Sequence, residues 1–143
     1  MSTIKSTPSV DPDNIPSYVY RADVINITDG DTFRVRIDLG FDTHVLKQIR
    51  TRDIDTRETS FTDTESEEYK RGRIHALTFA RWVGTTQREL QDETDWPFYA
   101  YSHEYERGAY GRVIGDIWSR HHNEWASRFL FNEFDDVSLY DDA

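Results

Sequence analysis

Hydrophobic and polar positions change period along the chain, and each change marks an element. From Ser17 to Ile27 a run rich in β-branched and aromatic residues (SYVYRADVINI) reads as a strand. Phe33, Val35, Ile37 and Leu39 then alternate with Arg34, Arg36 and Asp38, the period of two expected of a half-buried strand. Between them, Asp29-Gly30-Asp31-Thr32 has the composition of a tight hairpin turn in which glycine takes positive φ. A third strand is expected over about Val45 to Ile54, completing a meander, and the aperiodic polar stretch RETSFTDTESEE reads as a loop.

Beyond that loop the period becomes helical. Ala76, Phe79, Ala80 and Val83 fall at i, i+3, i+4 and i+7, with Ile74, Leu77 and Trp82 broadening the face. This predicts a well-buried helix from about Glu67 to Val83, stopped by Gly84. Two further strands are expected at Trp96 to His103, with Pro97 at its start, and at Arg112 to Ser119. A second helix should begin near Asn123 as N-cap, turning Ala126, Phe129 and Leu130 inward. The order predicts an α+β fold, a five-stranded OB-fold β-barrel with two to three helices, although other small α+β folds share it. Residues 1–16, with Pro8, Pro12 and Pro16, read as a flexible N-terminal tail, 17–134 as the folded domain, and 135–143 (DDVSLYDDA) as an acidic C-terminal tail.

Composition narrows the classes. At 143 residues the chain suits one domain with a single core. No apolar run approaches the ~20 residues of a membrane span, and the N-terminus lacks the regions of a signal peptide, so a cytoplasmic or viral, host-cytoplasmic setting is the default expectation, with no membrane partner. Without cysteine, disulfides and thiolate metal sites are excluded. Net charge is -10, and of 17 basic residues only Lys5, Lys47 and Lys70 are lysines. Such an acidic, lysine-poor surface suits a protein kept soluble in concentrated salt; an ordinary acidic protein is the equal alternative.

Three separated segments carry the chemistry: Asp29-Gly30-Asp31-Thr32, then Arg50 with Asp55 five residues on and Glu58 three further, then Tyr110-Gly111-Arg112. In this order they resemble the staphylococcal (thermonuclease-like) nuclease family of calcium-dependent phosphodiesterases with an OB fold, and RVRIDLGF resembles its phage-encoded branch. The likeness covers roughly Tyr20 to Phe131. It implies that Asp31, Asp55 and the backbone carbonyl of Thr56 hold one Ca²⁺ or another divalent cation, with Asp29 close behind. It also implies that Arg50 and Arg112 hold the scissile phosphate and that Glu58 orders or deprotonates the attacking water. Arg57 replaces the family's usual proline and offers another phosphate contact, while Arg52 and Asp53 stand where the family is mostly apolar. Tyr110 is a candidate to stack on a base.

The residue types suit that chemistry. Carboxylates and a carbonyl are hard oxygen ligands for Ca²⁺, and arginine's planar fork matches phosphate oxygens in a way lysine's point charge does not. The resulting expectation is a monomeric, metal-dependent nuclease acting on DNA or RNA, single-stranded or unwound, with little sequence preference. Two alternatives stand beside it: a non-catalytic OB-fold nucleic-acid-binding module and an acidic viral interaction protein.

Overall fold

The computed structural model describes residues 18–52, 54–56, 66–105 and 112–139. Its elements run β1 (Val19–Asp29), β2 (Thr32–Asp38), β3 (His44–Thr51), β4 (Ile54–Asp55), α1 (Glu67–Leu90), β5 (Phe98–Tyr105), β6 (Arg112–Ser119), β7 (Glu124–Trp125), α2 (Ala126–Glu133) and β8 (Ser138–Leu139). The meander β1-β2-β3 is antiparallel, β1 also pairs with β5, and β5 with β6. Parallel pairing of β3 with β6 joins the two edges, Gln48 opposite Arg112 and Arg50 opposite Ile114. The five strands close into a mixed barrel accompanied by two helices, the expected α+β OB-fold-like architecture. Closure removes the free edges that an open sheet would expose.

The alternation read along β2 decides what faces inward. Phe33, Val35 and Ile37 are buried, and their cross-strand partners Ile49, Lys47 and Val45 share that inner face. Thr32, Arg34, Arg36 and Asp38 lie on the outer face with Arg50, Gln48, Leu46 and His44. Helix α1 closes one side of the core. Phe79 meets Phe33 at 5.1 Å between ring centroids, and Trp82 stacks on Phe79, Phe129 and His122. Fully burying such side chains contributes ~1.5–3 kcal/mol each.

Several elements differ from expectation. Helix α1 does not stop at Gly84 but continues to Leu90, because its buried stripe goes on through Thr86. The Thr86 hydroxyl satisfies itself on Trp82 O and Ser119 Oγ. The stripe itself is Gly72, His75, Phe79, Trp82, Val83 and Thr86; Ile74 and Leu77, expected to face inward, are 41 % and 56 % exposed. Asn123 is not the cap of α2. It takes φ 56 in the preceding turn, and Trp125 is the N-cap residue. The cap interaction comes instead from buried Asp116, which accepts the Ser127 N–H.

The stretch from Asp135 is docked as far as Leu139 rather than hanging free. Val137 is buried, Ser138–Leu139 pairs with Ile54–Asp55, and Asp136 binds α1. Residues 1–16 of the expected N-terminal tail lie outside the described residues. Among the described residues no helix is long and apolar enough to cross a membrane.

Candidate functional site

The β1–β2 turn and the β3–β4 turn meet at Asp31. Two residues of β1–β2 pairing, Asp29 opposite Thr32, deliver Gly30 and Asp31 to the barrel rim, where the Thr51 N–H donates to the Asp31 backbone carbonyl at 2.7 Å. The Asp31 residue is only 5 % exposed. Its Oδ2 accepts the Thr56 N–H at 2.8 Å and its Oδ1 accepts the Thr32 hydroxyl at 2.9 Å. Arg50 Nη1 stands 3.4 Å from Oδ2, the Arg50 side chain being 13 % exposed. A buried carboxylate needs such partners, because an unpaired one would cost several kcal/mol of desolvation.

Gly30 serves this junction in a way the hairpin reading did not anticipate. Its φ is not positive; among glycines only Gly40 has that conformation within the described residues. A Cβ on Gly30 would lie 3.0 Å from Thr56 Cγ2 and 3.1 Å from His75 Cβ. The missing side chain lets the turn approach Thr56 and α1 closely.

Arg50 is also engaged within the fold. Its Nη1 donates to the carbonyls of Thr51 (3.0 Å) and Ile54 (2.8 Å), so the guanidinium pins the β3–β4 turn that carries Asp55 and Thr56. Asp29, at the end of β1, is buried. Asp55 is placed by its backbone in β4, next to Thr56, and Arg112 by its backbone at the start of β6, opposite Gln48. Arg57, Glu58 and Tyr110 lie outside the described residues. Asp31, Thr56 and Arg50 are therefore in direct contact, the backbone of Asp55 adjoins Thr56, and that of Arg112 lies two register positions from Arg50.

The donor set is hard and oxygen-rich: the Asp31 carboxylate, and a buried Thr56 hydroxyl without a hydrogen-bond partner among the described residues. No group of three or more His, Asp or Glu gathers as a metal cage among the described residues. Asp31 nevertheless keeps room for a further partner. Three of about four lone-pair positions on its carboxylate are taken, which leaves Oδ1 acceptor capacity.

Sequence reasoning passed over a second polar cluster directly behind this corner. His75, fully buried on α1, has Nε2 2.9 Å from Asp136 Oδ1, and Arg71 binds the same carboxylate through Nε and Nη2 at 2.8 and 3.0 Å. The Arg71 hydrogen bonds, then those from His75, hold the Asp136 carboxyl well below the usual carboxylate range against the opposing effect of burial. His75 and Asp136 stand 61 positions apart, which leaves no local signal for the pairing. The cluster backs the wall on which Gly30 rests.

Fold and site together define a small OB-fold-like barrel with an aspartate–arginine corner at its rim. Compared with known proteins, the chain matches no protein-family model, and no curated protein matches it significantly.

Proposed function

We propose that the chain is a divalent-metal-dependent nuclease, with Ca²⁺ the favoured ion, hydrolysing phosphodiester bonds of DNA or RNA with little sequence preference. One observation supports this above the others. Asp31, which the likeness to thermonuclease-type nucleases marks as a metal ligand, is a buried carboxylate with acceptor capacity left over, in contact with Arg50 and Thr56. Asp31, Asp55 and the Thr56 carbonyl would hold the ion, and Asp29 would support them. A bound divalent cation supplies polarisation of the phosphoryl oxygen and a lowered pKa for water. Arg50 and Arg112 would bind the phosphate oxygens as charge develops, and Glu58 would orient the water and take its proton. Arg57 and Tyr110 would add contacts to phosphate and base.

The test is cleavage of single-stranded DNA with Ca²⁺ and with chelator, by the parent and by Asp31→Asn. The asparagine retains an acceptor for the Thr56 N–H and removes the charge. Metal-dependent cleavage in the parent is expected to vanish in the variant, together with any rise in Tm on adding Ca²⁺. Cleavage indifferent to chelator, or full activity of Asp31→Asn, would refute the assignment. Binding without cleavage would leave the non-catalytic module.

A further inference from the structure

The outer face of the β2–β3 ribbon collects positive charge on a chain of net charge -10. Register places Arg34 and Arg36 on that face of β2, and Arg50 on β3 opposite Thr32. Arg34 is exposed, and Arg36 lies over the Trp96 ring at 5.0 Å. Neither makes an ion pair within the described residues. Two acids of β1 and β2 are already occupied. Asp38 meets Arg21 at 3.3 Å and accepts the Gly40 N–H, while Asp23, opposite Arg36 on β1, accepts from Val24 N and Gln87 Nε2.

The tip of the ribbon carries a second, independent oddity. Phe41 is fully exposed and takes φ 54 between Gly40 at φ 80 and Asp42 at φ 60. A bulky residue in the left-handed region is strained, by about 1 kcal/mol or more, and glycine or asparagine would sit there with less cost. Within the folded chain the ring gains no burial in return. An exposed aromatic on the same ribbon as Arg34 and Arg36, which make no ion pair among the described residues, has the two components that hold single strands, cations for the backbone and a π-face for bases.

We propose that this face is a track for single-stranded nucleic acid, with Arg34 and Arg36 taking successive phosphates leading away from Arg50 and Phe41 stacking on a base at the tip. The inference rests on the nucleic-acid substrate proposed above and extends it to a multi-nucleotide footprint. Same-face residues on a strand repeat every ~6.6–6.8 Å, comparable with the phosphate spacing of an extended single strand. From Thr32 to Asp38 the face runs about 20 Å, room for about three nucleotides beyond the rim.

The experiment is fluorescence anisotropy of labelled oligothymidylates with the full chain, in chelator so that no cleavage intervenes. A dinucleotide is compared with an oligomer of about eight nucleotides, long enough to span the ribbon. Arg34→Ala should weaken the longer oligomer at least ~5-fold and flatten the slope of log Kd against log salt by about 0.7, one phosphate's share on a single strand. Phe41→Ala should weaken it at least ~5-fold with the slope kept, and Phe41→Trp should restore it, as base stacking requires. Both positions are exposed, and circular dichroism verifies folding. Unaltered affinity in both variants overturns the track, as does loss of self-association in Phe41→Ala with oligomer binding retained, which would make the tip a contact between copies. A parent that binds with these effects but never cleaves keeps the track and removes the nuclease. A parent that cleaves while the variants bind as it does keeps the nuclease and removes the track.

Discussion

Gly30→Ala is the sharpest perturbation of the corner, because two explanations of that glycine predict different rescues. The added Cβ would sit 3.0 Å from Thr56 Cγ2, 3.1 Å from His75 Cβ and 3.2 Å from Thr56 Cβ. Ordinary carbon contacts lie near 3.5–4.0 Å, so several tenths of an ångström of overlap must be relieved on two sides. Overpacking of this kind costs about 1–3 kcal/mol, and the lower half of that range suits contacts with side chains that can yield. For a chain of this length 1 kcal/mol lowers Tm by roughly 3–4 °C, between the figures for smaller and larger domains. The displaced turn also carries Asp31 away from the Thr56 N–H, and small misplacements in a site can cost up to ~10²-fold in rate. Thr56→Ser removes Cγ2, the nearest clashing atom. The double variant Gly30→Ala/Thr56→Ser should therefore be more stable than the sum of the single losses by about 1 kcal/mol, a coupling measurable by urea denaturation. If the glycine were needed for backbone conformation, the serine would bring no relief. Strict additivity, or a neutral Gly30→Ala, would refute the close-approach argument.

Arg50→Lys should lower stability by about 1–3 kcal/mol, because the hydrogen bonds from Nη1 to Thr51 O and Ile54 O are lost at a poorly exposed position. A fall in cleavage rate beyond the folded fraction would separate a phosphate role from that pinning. Gly115→Ala should cost more than ~3 kcal/mol or prevent folding, since its Cβ would fall 2.0 Å from the Tyr101 carbonyl oxygen on the neighbouring strand; the urea midpoint reads this. Asp136 has a folded pKa depressed by Arg71 and His75, so its contribution is present above the unfolded carboxylate range and disappears as pH falls below about 3.9. Asp136→Asn should therefore lose stability at neutral pH and show a shallower decline in acid, followed by thermal melts across pH.

The strands were legible because a period of two survives wherever one face is buried. Phe33, Val35 and Ile37 announced β2, and Arg112–Ser119 is a strand in the structure as expected. What the pattern concealed was polar burial. His75 and Thr86 hold two positions of the inward stripe of α1 and carry no hydrophobic signal, so the apparent face rotated toward Ile74 and Leu77, and Gly84 looked like an end. A single glycine in a helix costs about 1 kcal/mol, which the stacking of Trp82 and the bonds of Thr86 outweigh. The docking of Asp136 and Val137 depends on partners far away in sequence, and a lone valine among acids gives no period to read. At the site, local chemistry alone left Asp29 to Thr32 as a turn. That Asp31 meets Thr56, 25 residues on, follows from barrel register, which a single strand cannot disclose.

Two buried aspartates of this fold are bonded in different ways. Asp116, fully buried, accepts from Ile117 N and Ser127 N through Oδ1 and from the Ser127 hydroxyl through Oδ2, and so fastens the start of α2 to β6. These three donors are backbone N–H groups and a hydroxyl, two of them from the helix it caps. Asp31 is almost as buried, but its donors come from separate segments, one is a guanidinium at the long distance of 3.4 Å, and Oδ1 has a single partner among the described residues. A carboxylate incompletely bonded at low exposure is poorly used as a fastener, since each unmade hydrogen bond there wastes acceptor capacity in a low-dielectric setting. The same asymmetry explains why Arg50 is pinned to backbone carbonyls. Held there, its charge offsets the burial of Asp31 while Thr51 and Ile54 fix where that charge sits, so the corner is organised by its own residues.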